Sequence, residues 1–478
     1  MTFSTILSTL IQTKNIKTYA LAQYCGIDRS NMYKIINGKR KPTSVEMVNK
    51  MSNFMKLSLS EKADLMEAYF IELAGHDNYY RRKHVAQLFQ NFHIPRLYFH
   101  IDTINTTDFF DYEKTDSTIL YSQAELNRAI LYILSSEFHS NNGKIQLLIQ
   151  PDYDFLLDIL IANHCNPNVT IDHIFCLNSK HDLINQQLDY NLHCLEKILP
   201  LYGNAYHYNC YYYYNDINYK AETMSVFPYA IITSRFACLI SDDLHKGVLI
   251  AHNSFLQLLH TIFNEHLANT SPLLRPMKKI TEQINYMHTI GKSLTNGYFL
   301  QMTPCLTPFF TRTILEKYLI QELPNRQQLI DALDDYISDF YNNILFPSYR
   351  SIFSLNGIRK FLETGRTGEY PTYIYNEIEL KDRVYLVKQL LKSYRSHPYS
   401  ILKQDICSLE NELFLTINQQ TGYLMFIIPE NEQIVFLDIE EPGLLSAFLD
   451  YCDNLDEHLF FSQEEAEHEL KALISEFS

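Results

Sequence analysis

Short amphipathic segments separated by polar turns make up the first 75 residues. In each segment the apolar side chains recur every three or four positions, which is typical of helices that bury one face. The pattern predicts five short helices, at 3–14, 18–24, 28–36, 44–54 and 60–73. A polar and basic stretch at 75–83 then leads into an apolar-periodic run at 84–93. This run predicts a connecting helix that ends before Pro95.

Beyond residue 123 short apolar runs alternate with amphipathic segments. Runs rich in strand-forming residues lie at 145–149, 169–177, 206–214, 224–233, 236–240 and 248–251. Helical patterns lie at 123–138, 153–163, 181–199 and 253–268. Strands that alternate with helices favour parallel pairing, so we expect an α/β domain here. Pro272 and Pro276 indicate where it ends.

The remaining part of the chain gives a less uniform pattern. Residues 278–345 read mostly as helices, and 346–400 are mixed. Alternating apolar positions at 413–417, 424–428 and 434–437 predict a three-strand meander, followed by helices at 443–453 and 463–476. We find no internal repeat of fixed period in the sequence.

Length and composition are typical of a folded protein with several domains. The chain has 478 residues, of which 46% are hydrophobic and 13% aromatic, enough for about three domains of ordinary size. No run approaches the roughly 18 apolar residues of a membrane span, and the first residues lack the layout of a signal peptide. We therefore expect a soluble, cytoplasmic protein without membrane contact.

Cysteine and charge narrow the possible chemistry. The nine cysteines are scattered and include no Cys-x-x-Cys pair, which argues against a zinc site or a disulfide framework. No motif indicates a metal, a cofactor or a catalytic residue. The net charge is −15, yet residues 1–74 carry ten Lys and Arg against six acidic residues, so they are +4 and the rest of the chain is −19. Between residues 14 and 41 seven basic residues face Asp28 alone, a local patch suited to a polyanion.

Residues 16–42 carry the most specific pattern in the chain. A helix-turn-helix needs a small residue where two helices touch, a turn residue that accepts positive φ, and apolar anchors on the second helix. Ala22 and Gly26 meet the first two requirements. The anchors are Ile27, Met32 and Ile35.

The second helix of this motif is expected to begin after Asp28, a natural N-cap. Burial of Met32 and Ile35 turns four polar side chains outward, as a helix lying in the major groove requires. These four are Arg29, Ser30, Tyr33 and Lys34.

This stretch resembles the Cro/phage-repressor type helix-turn-helix, the XRE family of transcriptional regulators. The matching residues are Leu21-Ala22, Gly26-Ile27, Arg29-Ser30, Ile35, Asn37-Gly38-Lys39 and Pro42. The resemblance covers about residues 1–74 and implies binding to double-stranded DNA. It implies base reading by Arg29, Ser30, Tyr33 and Lys34. It implies phosphate contacts from Thr18, Asn37, Gly38, Lys39, Arg40 and Lys41.

One position departs from the family pattern. The family commonly has Gln at the start of the first helix of the motif, where this chain has Thr18. Thr18 can still cap that helix and touch a phosphate. The competing interpretation of the whole region is a small helical bundle with a basic, solvated face; the complete motif spacing together with the basic patch favours DNA binding.

The sequence therefore predicts a multidomain protein, with an all-α helix-turn-helix domain followed by an α/β domain, a helical region and a C-terminal α+β module. The predicted boundaries are 1–74 for the DNA-binding domain, 75–122 for a connector, 123–272 for an α/β sensor domain, 273–400 for the helical region and 401–478 for the last module.

A run of tyrosines at 206–214 admits two interpretations. It is either a twisted strand with rings on both faces, which we favour, or an aromatic pocket wall. Open α/β sheets bind ligands beyond the carboxyl ends of their strands, here after Ile149, Leu177 and Thr233. The candidate ligand residues are Tyr211, Tyr213, Ser234 and Arg235. A basic Arg235 would suit an anionic or carboxylated ligand.

The function that these patterns favour is a sequence-specific transcriptional regulator and not an enzyme. We expect a homodimer on a palindromic operator, with a body that senses a small molecule or a protein effector. The alternative is an enzyme or defence effector that carries a DNA-binding address domain. A peptide-pheromone receptor with a helical-repeat body is disfavoured by the strand-rich segments.

Overall fold

The computed structural model describes residues 2–94, 115–162, 166–179, 183–184, 188–215, 226–277, 280–293, 296–341, 349–429 and 431–478. Most of the predicted 75–122 connector beyond Ile94 lies outside these residues, as does the start of the predicted strand at 224–233. The chain forms two compact units. The N-terminal unit contains Met1–His84 and Asp182–Asp189, and the body contains Val85–His181 and Tyr190–Ser478.

All five helices predicted for the first 75 residues are present. They are α1 (Phe3–Thr13), α2 (Thr18–Cys25), α3 (Arg29–Ile36), α4 (Val45–Phe54) and α5 (Leu59–Ala74). Side chains of the residues before α1, α3, α4 and α5 accept hydrogen bonds from the first turn of each helix. The helices enclose one apolar core, whose fully buried members include Leu7, Leu21, Met32, Val48, Met51 and Leu65.

Helix α6 (His76–Asn91) begins eight residues earlier than the sequence pattern predicted. The polar stretch is helical because its side chains bind α5. Lys83 donates to Glu67 at 2.8 Å and its ammonium lies over the rings of Tyr79 and Tyr80, at 5.8 and 5.7 Å from their centroids. The hydrophobic periodicity of the sequence does not predict such polar and aromatic contacts.

The remaining elements are mainly strands and α-helices. The strands are β1 (Ser117–Leu120), β2 (Lys144–Leu148), β3 (Thr170–Asn178), β4 (Leu183–Ile184), β5 (Leu188–Asp189), β6 (His207–Asn215), β7 (Tyr229–Ile232), β8 (Ala237–Ile240), β9 (Gly247–Ile250), β10 (Ser271–Met277), β11 (Gly297–Leu300), β12 (Tyr349–Ser354), β13 (Tyr399–Leu402), β14 (Phe414–Asn418), β15 (Gly422–Ile427) and β16 (Ile434–Ile439). The helices are α7 (Gln123–Phe138), α8 (Asp154–Ala162), α9 (Tyr190–Ile198), α10 (Asn253–Leu267), α11 (Ile280–Ser293), α12 (Arg312–Tyr318), α13 (Arg326–Tyr341), α14 (Leu355–Thr364), α15 (Leu380–Ser393), α16 (Pro442–Asp453) and α17 (Gln463–Glu476).

Fourteen of these strands form one sheet, in the order β1-β9-β8-β7-β2-β3-β6-β10-β16-β15-β14-β11-β12-β13. Strands β2, β3 and β6 are parallel, as predicted for the α/β segment. The predicted meander is also present, with β14, β15 and β16 antiparallel to one another. Segments from all three predicted C-terminal modules thus contribute strands to a single sheet.

The sheet consists of two halves with the same topology. In the first half β1, β9, β8, β7 and β2 pair antiparallel in that order, and β2, β3 and β6 follow in parallel. In the second half β10, β16, β15, β14 and β11 pair antiparallel, and β11, β12 and β13 follow in parallel. Corresponding strands of the two halves also follow one another in the same order along the chain. The sequence search found no repeat because the two halves share their strand order and not a fixed spacing of residues.

Strand β10 joins the halves, since it pairs antiparallel with β6 on one side and β16 on the other. Pro272 and Pro276, which were interpreted as a domain boundary, both lie within it. The pairing with β6 shifts register between Pro272 and Leu274. Pro272 lies at this irregularity, where proline is tolerated because no ladder hydrogen bond is lost. Pro276 lies opposite Leu437 in the regular pairing with β16.

Two further segments differ from the sequence prediction. The helix expected at 181–199 begins only at Tyr190, and β4 and β5 form a small hairpin before it. Asp189 at the end of β5 pairs with Arg81 of α6 at 2.9 Å, a long-range contact that the local pattern does not reveal. In the region read as mostly helical, β11 is an additional strand.

Candidate functional site

The turn between α2 and α3 has the geometry that the motif requires. Gly26 adopts φ 72° and ψ 27°, a left-handed conformation that costs other residues more than glycine. Its N–H donates to the Gln23 carbonyl at 3.1 Å, and the Ile27 N–H donates to the Ala22 carbonyl at 3.1 Å. These bonds close α2 and redirect the chain into α3. Ala22 is buried where α2 meets its neighbours.

Helix α3 is fixed at its start and along its inner face. Asp28 is its N-cap, and one carboxylate oxygen accepts from the Asn31 N–H at 2.7 Å. Such a cap stabilises a helix by about 1 kcal/mol. Met32 and Ile35 are 0% and 2% exposed, so both are anchored in the core. The opposite face of α3 is thereby directed to solvent.

Four residues on that outer face were predicted to read bases, and all four are exposed: Arg29, Ser30, Tyr33 and Lys34. The Arg29 guanidinium donates to the Tyr33 hydroxyl at 3.4 Å and lies 5.4 Å from the ring centroid. The hydrogen bond from Arg29 lowers the pKa of the Tyr33 hydroxyl. The two side chains therefore form a coupled surface of hydrogen-bond donors at the start of α3.

Thr18 lies beside this surface but does not cap α2. Lys17 occupies the N-cap position and makes no side-chain cap bond, while Thr18 is the first residue of the helix. Interaction with the Thr18 hydroxyl makes a further, smaller contribution to the lowered pKa of Tyr33. Thr18 is thus next to the predicted base-reading face, and the expectation that it caps α2 is wrong.

A tight loop follows α3. Gly38 has φ 70°, and a Cβ at this position would lie 3.0 Å from the Ser4 hydroxyl oxygen. The N–H groups of Lys39 and Arg40 both donate to the Lys34 carbonyl, at 2.8 and 3.2 Å. The predicted phosphate-binding residues of this loop are all exposed: Asn37, Gly38, Lys39, Arg40 and Lys41.

The basic side chains of the loop differ in their contacts. The Arg40 guanidinium donates to the Asn31 side-chain oxygen at 2.8 Å, and the Asn31 amide donates to Asp28. Asn31 therefore holds Arg40 against α3, a role that sequence reasoning missed. Its position three residues after the N-cap was the available signal. The Lys41 ammonium donates to the Glu72 carbonyl in the last turn of α5, so a helix C-terminus already engages it.

The predicted ligand residues of the body do not form one site. Tyr211 on β6 packs on the core that includes Leu256 and Phe263 of α10, which matches the favoured interpretation of the tyrosine run as a packed strand. The Ser234 hydroxyl donates to the Glu137 carboxylate at 2.7 Å. The Arg235 guanidinium lies 5.3 Å from the centroid of the Phe236 ring.

Strand direction explains why these residues are apart. Strand β7 is antiparallel to β2, with Ile232 opposite Gln146 and Ala230 opposite Leu148. The carboxyl end of β7 therefore lies at the edge where β2 begins. Tyr213, opposite Cys176, lies toward the other edge. The expectation that Tyr213, Ser234 and Arg235 line a common edge is wrong, because it assumed a parallel β7.

Comparison with known proteins identifies the class of the N-terminal region. Residues 7–67 match the family described as the Cro/C1-type HTH DNA-binding domain. This part of the chain is therefore a Cro/C1-type helix-turn-helix domain, as the sequence motif indicated. No curated protein matches the chain.

Solved structures resemble the chain only weakly. A polyphosphate kinase from Porphyromonas gingivalis aligns at 11% identity with a TM-score of 0.23, covering 80% of this chain and 59% of that one. A phosphatidylserine synthase from Haemophilus influenzae Rd KW20 aligns at 10% identity with a TM-score of 0.22, covering 83% and 97%. The chain thus spans less than two thirds of the kinase, and scores this low carry no argument. Within the described residues, every helix is too short or too polar to cross a membrane.

Proposed function

We propose that this protein is a sequence-specific DNA-binding transcriptional regulator. The observation that carries the proposal is the exposed face of α3 in a Cro/C1-type domain, with the coupled Arg29 and Tyr33 side chains at its start. A recognition helix places the side chains of its N-terminal half against base edges in the major groove. The local excess of basic residues between 14 and 41 supplies the attraction to phosphate that an acidic body lacks.

Within this proposal the residues divide into two roles. Arg29, Ser30, Tyr33 and Lys34 contact bases. Thr18, Asn37, Gly38, Lys39 and Arg40 contact phosphates. Lys41 is the weakest candidate of the predicted phosphate set, because binding a phosphate competes with its contact to the Glu72 carbonyl.

We further propose a homodimer on a palindromic operator. One helix-turn-helix reads only a short half-site, whereas two domains related by a two-fold axis read half-sites one helical turn, roughly 34 Å, apart. The body supplies the dimer surface and responds to an effector. An effector alters DNA affinity only if it binds two states of the protein with different affinities.

A binding-site selection with the full-length protein tests base reading. Arg29→Ala is expected to relax preference at one base position, at a cost of about 1–3 kcal/mol. Lys39→Ala is expected to weaken binding to all sequences alike and to lower the salt slope by about 1. Lys50→Ala, which removes an exposed positive charge on α4, is the matched control and should change base preference at no position. Uniform loss from both Arg29→Ala and Lys39→Ala would contradict the assignment of direct readout.

A further inference from the structure

The second half of the sheet borders a cavity that the DNA-binding proposal does not use. The sheet forms one wall, and helices α11 and α13 with parts of the following loops form the other. Pockets for small molecules are concave and mostly apolar. The lining of this cavity has that character.

The sheet wall of the cavity is aromatic along its whole width. Each of the six strands from β11 to β16 contributes one ring: Phe299, Tyr349, Tyr399, Phe414, Tyr423 and Phe436. Some of these rings are already ordered against each other. The Tyr423 and Phe436 rings stack at 4.3 Å between centroids, and the Phe299 and Tyr349 rings lie 4.8 Å apart. Rings held in this way present fixed faces to a bound molecule.

Polar side chains also line the cavity, among them Glu369 and His397. Glu369 is the one carboxyl among the described lining residues, and Lys and Arg are absent from that lining. The Thr307 hydroxyl donates to the Glu369 carboxylate at 3.4 Å. Gln301, 5% exposed, lies beside the Glu369 carboxyl and favours its charged form.

The other reactive groups of the cavity do not indicate a catalytic centre. Cys305 lies near Glu369, but burial raises the pKa of the Cys305 thiol, whereas a nucleophilic thiol needs a lowered pKa. Burial likewise raises the pKa of the Glu369 carboxyl. His397 stacks on Phe340, with ring centroids 5.3 Å apart and planes 7° apart. The cavity is therefore built to hold a molecule and not to activate a thiol.

We propose that this cavity binds a small organic cation, a protonated amine carried on an apolar or aromatic body. The ammonium group donates to the Glu369 carboxylate, and the surrounding rings attract it through their π faces. The apolar body fills the space between the sheet and α13. An anion is disfavoured, because the lining offers a carboxyl and neither Lys nor Arg. The binding itself is independent of DNA; only its regulatory consequence rests on the proposed function.

Three probes of similar shape but different charge test whether the cavity recognises the positive charge of its ligand. Calorimetric titration of the full-length protein would use 2-phenylethylamine, 2-phenylethanol and phenylacetate. We expect the amine to bind, the alcohol to bind about tenfold more weakly or less, and the acid to bind not at all, since a charge-assisted hydrogen bond is worth roughly one or two powers of ten in affinity.

Two variants of cavity residues test whether the preference for the amine arises at Glu369. Glu369→Gln should remove the preference for the amine over the alcohol, while the melting temperature stays the same or rises because a buried carboxyl has been removed. If Glu369 served only the fold, the variant would melt earlier instead. Gln301→Leu should keep the amine preference and the fold. Glu322→Gln, which removes an exposed carboxyl, is the matched control and should leave all three affinities unchanged.

The proposal is overturned if no amine binds at millimolar concentration, if phenylacetate binds as well as the amine, or if Glu369→Gln keeps the amine preference in a folded protein. Operator binding is measured separately on the same samples. Amine binding without any effect on DNA affinity would retain the cavity assignment and remove the sensing role. Loss of DNA binding by Arg29→Ala with intact amine binding would leave the cavity assignment untouched.

Discussion

At the scale of single residues, Glu412 shows how a buried carboxyl can stabilise a loop through hydrogen bonds. It is 7% exposed and accepts hydrogen bonds from the N–H groups of Met302 and Thr303 and from the Thr303 hydroxyl. These residues form the turn that leaves β11. A Cβ on Gly357 would lie only 1.9 Å from the Met302 carbonyl oxygen, so the turn also packs tightly against α14. Glu412 thus satisfies backbone donors that no strand or helix can reach.

Burial raises the pKa of Glu412 from its ordinary value of 4.5 to about 7, despite the hydrogen bonds from Thr303. Between these pH values the folded protein holds a proton that the unfolded chain has released. The contribution of Glu412 to stability is therefore complete below about pH 4.5 and is lost as pH rises through about 7, by on the order of 3 kcal/mol.

Thermal unfolding between pH 4.5 and 7.5 measures this contribution. Relative to the wild type, Glu412→Gln should lose less stability as the pH rises, because the amide does not titrate. Glu410→Gln removes a nearby exposed carboxyl and serves as the control, for which we expect the wild-type pH dependence. Parallel curves for wild type and Glu412→Gln would show that the carboxyl is ionised throughout.

At the scale of elements, α10 has apolar side chains on two faces. Leu256 and Phe263 face the sheet and are 3% and 2% exposed. On the outer side Phe255, Leu258 and Ile262 are 40%, 51% and 38% exposed, and their spacing places them along one stripe. Exposed apolar stripes mark association surfaces. Because a helix-turn-helix domain needs a second copy to read a palindrome, we predict that this stripe forms the contact of the proposed homodimer.

Sedimentation of the full-length protein at micromolar concentration tests the assignment. Leu258→Arg should shift the protein toward the monomer, because a charge in the centre of an apolar contact is costly to bury. Gln257→Arg adds the same charge at a neighbouring exposed position outside the stripe and should remain dimeric. If the wild-type protein is monomeric with and without operator DNA, the dimer prediction is wrong. If the two variants behave alike, the dimer contact does not lie on this stripe.

At the scale of the whole molecule, the chain combines a small helical unit with a body built on one sheet. Each has its own apolar core. Residues 1–74 have a net charge of +4 and the rest of the chain −19, so the attraction to DNA is expected in the N-terminal part of the chain. Units with separate cores can unfold in separate transitions.

Differential scanning calorimetry should accordingly resolve two transitions. Operator DNA should raise the transition of the N-terminal unit most, and 2-phenylethylamine that of the body most, since each ligand stabilises the unit to which it binds. Glu369→Gln should abolish the second shift and leave the first. A single transition that both ligands raise would show that the two units unfold as one.

Prediction from sequence succeeded where the determining contacts are local. The turn at Gly26, the cap at Asp28 and the anchors Met32 and Ile35 all lie within about ten residues of one another. It failed for Ser234 and Arg235, whose position depends on the direction of β7 relative to β2. It also missed Asn31, because its role depends on where Arg40 returns after the loop.

The sequence by itself determined the helix-turn-helix domain, the exposed face of α3 and the identity of most strands, because helix periodicity, caps and strand alternation depend on neighbouring residues. Only the tertiary structure decided which strands are neighbours, that the sheet has two halves of the same topology, and that one ring from each of six strands lines a cavity around Glu369. A strand's hydrogen bonds are made by its backbone, which is the same at every residue, so its sequence specifies which face is buried but not which distant strand lies beside it.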